Sequence, residues 1–435
     1  VPLTSSEQER LAIARLFHRF GFGPRAGEFR AALNNGLSST RTSLITPPFS
    51  DKGISALAEH NTYDLGARPS QKTSELIEFN IQLRQQMKDL PLWWLDRMVL
   101  SDHGLTERIT WFWHGHWATS VDKLNFVYPM YLQNQTLRKY ALGNFSELAN
   151  AMVADGALQF WLDGGDNTVK APNENLAREL MELFILGVNR YSENDVRELA
   201  RALTGYQVVR SSGKVTLNNK KFDTGIKTIL GQSANFNGAS ATSYLVAQPD
   251  SAKFITERIW YRFISSQIET DSGLNSAFQS RDISSLINAI TDPKYLSDPA
   301  FSLVKAPVEW FAGVARYLNL TPSNLKTPAQ LLSYLDKLAQ VPFSPPNVGG
   351  WPTDEAWLSS ASAQSRIQFA GWLIKQADLS SLAAIPGNKR VAWLQDELGI
   401  FALSTRTRLA LESVKSDPAQ LLQLIICSPE YVVSA

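Results

Sequence analysis

Residues Asn173 to Gly205 read NENLARELMELFILGVNRYSENDVRELARALTG, and the period of their apolar positions marks two successive helices. At about 100° per residue, Leu176, Leu180, Leu183 and Phe184 fall on one side of the first, and Glu174, Asn175, Arg178, Glu179 and Glu182 share an opposite arc. Ser192 can cap the second helix, with Asp195 three residues on as a short capping box. Val196, Leu199, Ala200 and Leu203 then form a core stripe, and Gly205 can serve as the C-terminal cap. Ile185 and Leu186 project into the polar arc of the first helix one turn later, which is odd for a face solvated along its length and favours a buried or cleft-facing arc.

The same period recurs on both sides. A helix is expected after a cap at Thr4, Ser5 or Ser6, with Leu11, Ile13, Ala14 and Phe17 apolar, and a long one from Leu76 to Leu95, broken near Pro91. Others are expected over Thr106–His116, Tyr128–Leu142, Phe145–Ala154, Ser251–Ser265, Pro307–Leu318 and Ser365–Gln376. The exception lies between Tyr206 and Gly231, where YQVVR and KVTLN flank Ser211, Ser212 and Gly213 as a hairpin with a glycine-containing turn. The expected fold is therefore mainly α, a multi-helical globular protein with a small β-hairpin insertion. It divides softly into residues 1–205, a helical lobe carrying the His and Glu motifs; 206–250, the hairpin and irregular insertion; and 251–435, a helical lobe with the loop VPFSPPNVGGWP at Val341–Pro352.

A chain of 435 residues exceeds what one core usually fills. Forty-two basic against 41 acidic residues leave a net charge of +1 with no basic run, so nothing recruits nucleic acid. Cys427 is the single cysteine, which excludes an intrachain disulfide and a cysteine zinc site. No run of 18 apolar residues predicts a transmembrane segment. The opening VPLTSSEQERLAIARL reads as a domain edge and not a signal peptide, a pattern that a processed exported protein would share.

The segment RITWFWHGHWATS, Arg108–Ser120, places two of the five histidines among three tryptophans and a phenylalanine. In a regular helix Leu105, Ile109, Phe112 and His116 form one stripe, and His114 lies roughly 200° from His116. A break at Gly115 is needed to turn both imidazoles to one point; without it they are two structural histidines. His18, His60 and His103 are weaker candidates, although His18 stands before FGFGP, where Gly21 and Gly23 permit close backbone approach. Glu179 and Glu182, three apart, can share a proton or hold a cation, and Arg178 can neutralise one of them. The candidate catalytic set is thus His114, His116, Glu179, Glu182 and Arg178. The two histidines and two glutamates would be the ligands if a divalent metal ion is bound.

Five ordered motifs carry a resemblance: FWHGHWAT (Phe112–Thr119), NENLARELMELFILGV (Asn173–Val188), YSENDVRELARALTGY (Tyr191–Tyr206), DTGIKTILG (Asp223–Gly231) and PFSPPNVGGWP (Pro342–Pro352). The chain resembles the bacterial family known as domain of unknown function 1800, from ARLFHRFGFGP to near Arg366. That resemblance implies a largely helical bacterial protein, often exported to the periplasm or medium, and no particular activity. The family pattern often carries a histidine where this chain has Phe184, and another before Asp223, where it has Phe222. The motif residues Glu174, Asn175, Arg197, Arg201, Asp223, Lys227 and Trp351 suit a polar cleft that contacts substrate, with PPNVGGW as one wall.

The functional expectation is an exported metal-dependent or acid/base hydrolase. The alternative is a non-catalytic module that binds a glycan or a partner protein through some of its 12 tryptophans and 12 tyrosines. A haem peroxidase-like pairing of Arg108 with His114 is a weaker third.

Overall fold

The computed structural model describes residues 2–55, 57, 63–70, 73–267 and 272–434, and His60 lies outside them. The fold is mainly α, with small two-stranded antiparallel sheets. Tyr206–Val209 pairs with Lys214–Leu217 as expected, turning through Gly213 at φ 68°. Lys227–Ile229 pairs with Gln232–Ala234, and Leu303–Val304 pairs with Val433–Ser434. The first helix, Ser5–Arg19, starts in a full capping box between Thr4 and Glu7, and Ser192 and Asp195 form another at Glu193–Ala202. Among the described residues no helix is long and apolar enough to cross a membrane.

Two large cores hold these elements together. One gathers Phe79 to Tyr131 with Ala306 to Val432; the other gathers Ala12 to Phe20 with Leu105 to Leu296. Each draws on residues from both sides of 205 and 250, so buried contacts join segments distant in sequence. The Leu105–His116 helix sits between the cores, giving Trp111 to the first and Ile109, Phe112 and Trp113 to the second. Such a helix is buried on every side, Glu107, Arg108 and the histidines included, so the single buried stripe expected for it widens to its whole circumference.

Two local expectations change. The helix Ser74–Leu100 runs unbroken through Pro91. Pro91, Leu92, Trp93, Trp94 and Leu95 are all buried, and that packing offsets the roughly 3 kcal/mol a mid-helix proline costs. The acidic helix Asn175–Glu179 continues as a π-helical turn, Leu180–Ile185, whose end sends the Leu186 and Gly187 N–H groups to the Met181 carbonyl. The widened turn shifts the phase of everything after it. That is why Ile185 and Leu186, which an ideal helix would leave among the glutamates, are 0% and 2% exposed.

Candidate functional site

The histidine helix does not break at Gly115; it is regular to His116. The two imidazoles therefore point apart. His114 Nε2 accepts the backbone N–H of Phe343 at 3.1 Å, and its ring lies among Trp94, Trp111, Phe343 and Trp351. His116 Nε2 donates to the Phe184 carbonyl at 2.9 Å, because a carbonyl can only accept, and its Nδ1 is buried with no partner. Burial lowers both rings to a pKa of about 3, aided at His116 by Arg258 and Arg262, so both are neutral. The bond to Phe184 uses a carbonyl near the end of the π-helical turn, a position left without a helical donor.

A strap from Phe343 to Asp354 crosses this helix. Phe343 adopts φ 67°, a strained conformation for an aromatic residue, and is held there by its N–H to His114 and by its carbonyl, which accepts the Val121 N–H at 2.9 Å. Gly350, at φ 82°, passes so close that a Cβ on it would stand 2.2 Å from the Gly115 oxygen. Trp351 stacks on Trp111 at 5.0 Å and is 5% exposed, so it serves the core more than it offers a face. Its indole Nε1 is buried and unpartnered.

His116 and Glu182 line one cavity of about 230 Å³, together with Phe254, Arg258 and Gly349. Tyr191 Oη donates to Glu182 Oε2 at 2.9 Å. Burial raises the Glu179 carboxyl, Glu182 raises it further and Arg178 opposes them. A second cavity of about 370 Å³ shares Phe254, Arg258 and Gly349 with the first and adds Glu257, Tyr261, Arg262, Trp351 and Thr353. The two adjoin along the Pro249–Phe263 helix, where they share these three residues, and are together termed the groove; Gly349, Trp351 and Thr353 of the strap line it. A larger cavity of about 620 Å³ beside Lys88, Asp89, Trp93 and Asp96 contains none of the expected site residues.

The model of a family described as "Protein of unknown function (DUF1800)" matches residues 15–433, which take in both walls of this groove. The chain belongs to the DUF1800 family. No curated protein and no solved structure matches it. Within the DUF1800 region, Phe184 has its ring centroid 6.1 Å from that of His116 and 4.6 Å from that of Trp117. The Phe222 ring lies under the Lys227 ammonium at 4.7 Å.

Of the residues expected at the site, only His116, Glu182 and Trp351 line the groove. His114 is turned into the core. Arg178 is spent on the surface, with Glu174 at 3.1 Å and both oxygens of Glu193 at 2.8 Å. Asn175 bonds Asp163 at 3.3 Å, and Arg197 is exposed. Arg201, Asp223 and Lys227 clamp the loop before the second hairpin: Arg201 meets Asp223 and Glu198 at 2.8 and 2.9 Å, and buried Lys227 donates to the Asp223 carbonyl. Arg108 pairs with Glu309 at 2.8 Å and the Arg19 carbonyl at 3.1 Å, away from His114. His18 bonds the Leu398 and Gly399 carbonyls, and His103 bonds that of Ser43.

As for a metal, among the described residues no group of three or more His, Cys, Asp or Glu side chains converges. His114 Nε2 and His116 Nε2 are both taken by backbone groups, so the four expected ligands do not fit one ion. Sequence reasoning missed Arg258 and Arg262. Their signal was present: with Phe254 and Tyr261 they recur at helical spacing on one face of the Pro249–Phe263 helix.

Proposed function

We propose that this DUF1800 protein is an acid/base hydrolase acting in the groove, with Glu182 as the base. The observation that carries the reading is that Glu182 lines a cavity beside a neutral imidazole while Tyr191 binds only one of its carboxylate oxygens. A carboxylate fixed through one oxygen keeps the other free to receive a proton. Hydrolysis consumes one water. Glu182 takes a proton from it, the oxygen adds to the electrophilic atom of the substrate, and the same proton passes to the leaving group as its bond breaks. His116, fixed in one tautomer by Phe184, shapes the cavity wall and holds Nδ1 as an acceptor.

Metal assistance is not part of this reading, since the donors do not gather. An exported location belongs to it on the strength of the family likeness alone, and fractionation of the native host checks that. The chemistry is tested by screening chromogenic esters, glycosides and phosphate esters with the intact chain. Turnover of at least one class is expected, with loss in Glu182→Gln at unchanged thermal stability. No turnover by the unaltered chain, or full activity in Glu182→Gln, overturns the proposal and leaves the binding-module alternative.

A further inference from the structure

Arg258 and Arg262 stand one turn apart on the Pro249–Phe263 helix and line the same cavity of about 370 Å³. Among the described residues neither forms an ion pair. Arg258 Nε is buried with no hydrogen-bond partner, and Arg262 reaches only the Trp351 carbonyl, at 3.3 Å. Of the nearby carboxylates, Glu257 lines the same cavity and stands 3.9 Å from Lys253, Glu182 in the adjoining cavity accepts from Tyr191 at 2.9 Å, and Glu309, outside both, pairs with Arg108 at 2.8 Å.

Two half-buried guanidiniums lining one cavity repel each other, and neither has the ion pair that normally offsets desolvation. Burial first and Arg258 second lower the Arg262 guanidinium to about 9, against the opposing charge of Glu309. An arrangement so unfavourable when empty becomes favourable once an anion enters, because guanidinium forks bind oxyanions through short, charge-assisted hydrogen bonds. The walls supply the rest of a ligand site. Phe254 gives apolar surface, and Trp351 closes the wall beside it.

We propose that the cavity binds an oxyanion, a carboxylate, sulfate or phosphate, carried on a small molecule with an apolar body, and that Arg258 and Arg262 hold it. This names the substrate class for the hydrolase reading and extends the same groove, but binding requires no turnover and can be measured without it.

The test uses thermal unfolding and titration calorimetry of the intact chain with sodium phosphate, sodium sulfate and sodium benzoate, at an ionic strength held constant with chloride. At least one anion is expected to bind saturably and raise the Tm. The three arms identify which oxyanion the site takes. Arg258→Met is expected to raise the Tm of the ligand-free protein, because it removes a half-buried charge that has no ion pair, and to abolish the anion response. Arg262→Met is expected to weaken binding about tenfold or more, and Arg258→Lys to keep part of it. Glu182→Gln is expected to retain the anion response, which separates a failure of the hydrolase reading from a failure of this one. The proposal is overturned if none of the three anions raises the Tm, if Arg258→Met responds like the unaltered chain, or if Arg258→Met destabilises the ligand-free protein as loss of a structural arginine would.

Discussion

His114 and His116 are two residues apart on one helix and hold opposite tautomers. His114 accepts at Nε2 from Phe343, so its proton sits on Nδ1; His116 donates from Nε2 to Phe184, so its Nδ1 is bare. The roughly 200° between such positions sends one ring to the strap and the other to the acidic helix. One residue thus fixes a strained turn, and its near neighbour walls a groove.

Nitrogen-15 NMR of the two imidazoles should show these two tautomers directly. With both values lowered to about 3 by burial, neither ring should titrate between about pH 5 and 8. A folded-state pKa below the unfolded value means that the unfolded chain takes up protons first as pH falls. Both histidines therefore contribute stability that is present above about pH 6.5 and lost on acidification.

Gly115 and Gly350 should respond oppositely to alanine. Gly115 lies inside a helix where the nearest atom to an added Cβ is 3.9 Å away, so Gly115→Ala should stabilise by about 0.5–1 kcal/mol. Gly350→Ala adds a Cβ 2.2 Å from the Gly115 oxygen at φ 82° and should cost at least about 2 kcal/mol. Chemical denaturation measures both, and equal effects would contradict the contact.

Glu107 is buried, which alone would raise its carboxyl, yet Arg138 and Arg97 bring it down to about 2. It meets Arg138 at 2.6 Å and Arg97 at 2.9 Å, and the Trp94 indole at 2.9 Å. Glu107→Gln leaves two arginines without their counter-charge and should cost about 3–5 kcal/mol by urea unfolding. A cost below about 1 kcal/mol would mean that the pair is solvated.

Asp155 caps the helix Gly156–Trp161 and is pushed up to about 6 by burial, against hydrogen bonds from Leu158 and Gln133. The folded protein here binds more protons than the unfolded chain. Its contribution is therefore fully present below the unfolded value near 4 and is lost as pH rises through about 6. Relative to Asp155→Asn, the unaltered chain should lose about 3 kcal/mol across that window. A flat difference would place Asp155 in solvent.

Much of the local structure was legible in the sequence. A cap among Thr4, Ser5 and Ser6, the capping box at Ser192, the stripe Val196–Leu203 and the hairpin around Gly213 follow from residue type at fixed offset, and each forms as expected, Thr4 being the cap. Pro91 and the Ile185–Leu186 phase did not follow, because tertiary burial can hold a proline inside a helix and a π-helical turn shifts the register without any distinctive residue. The Arg201–Asp223–Lys227 clamp shows the converse. Polar residues in motifs need not face a ligand when they can close a loop on one another.

By itself the sequence determined a mainly helical chain, its hairpin, its family likeness and the local neighbourhood of a groove, since these depend on periodicity and on neighbours in the chain. Only the tertiary structure decided which polar groups meet. His116, Glu182, Arg258 and Trp351 come from four separated segments, and their convergence depends on how two cores interlock around one helix. No spacing in the chain encodes that. The same packing turned His114 away and left Arg258 and Arg262 without an ion pair among the described residues, a property of three-dimensional electrostatics.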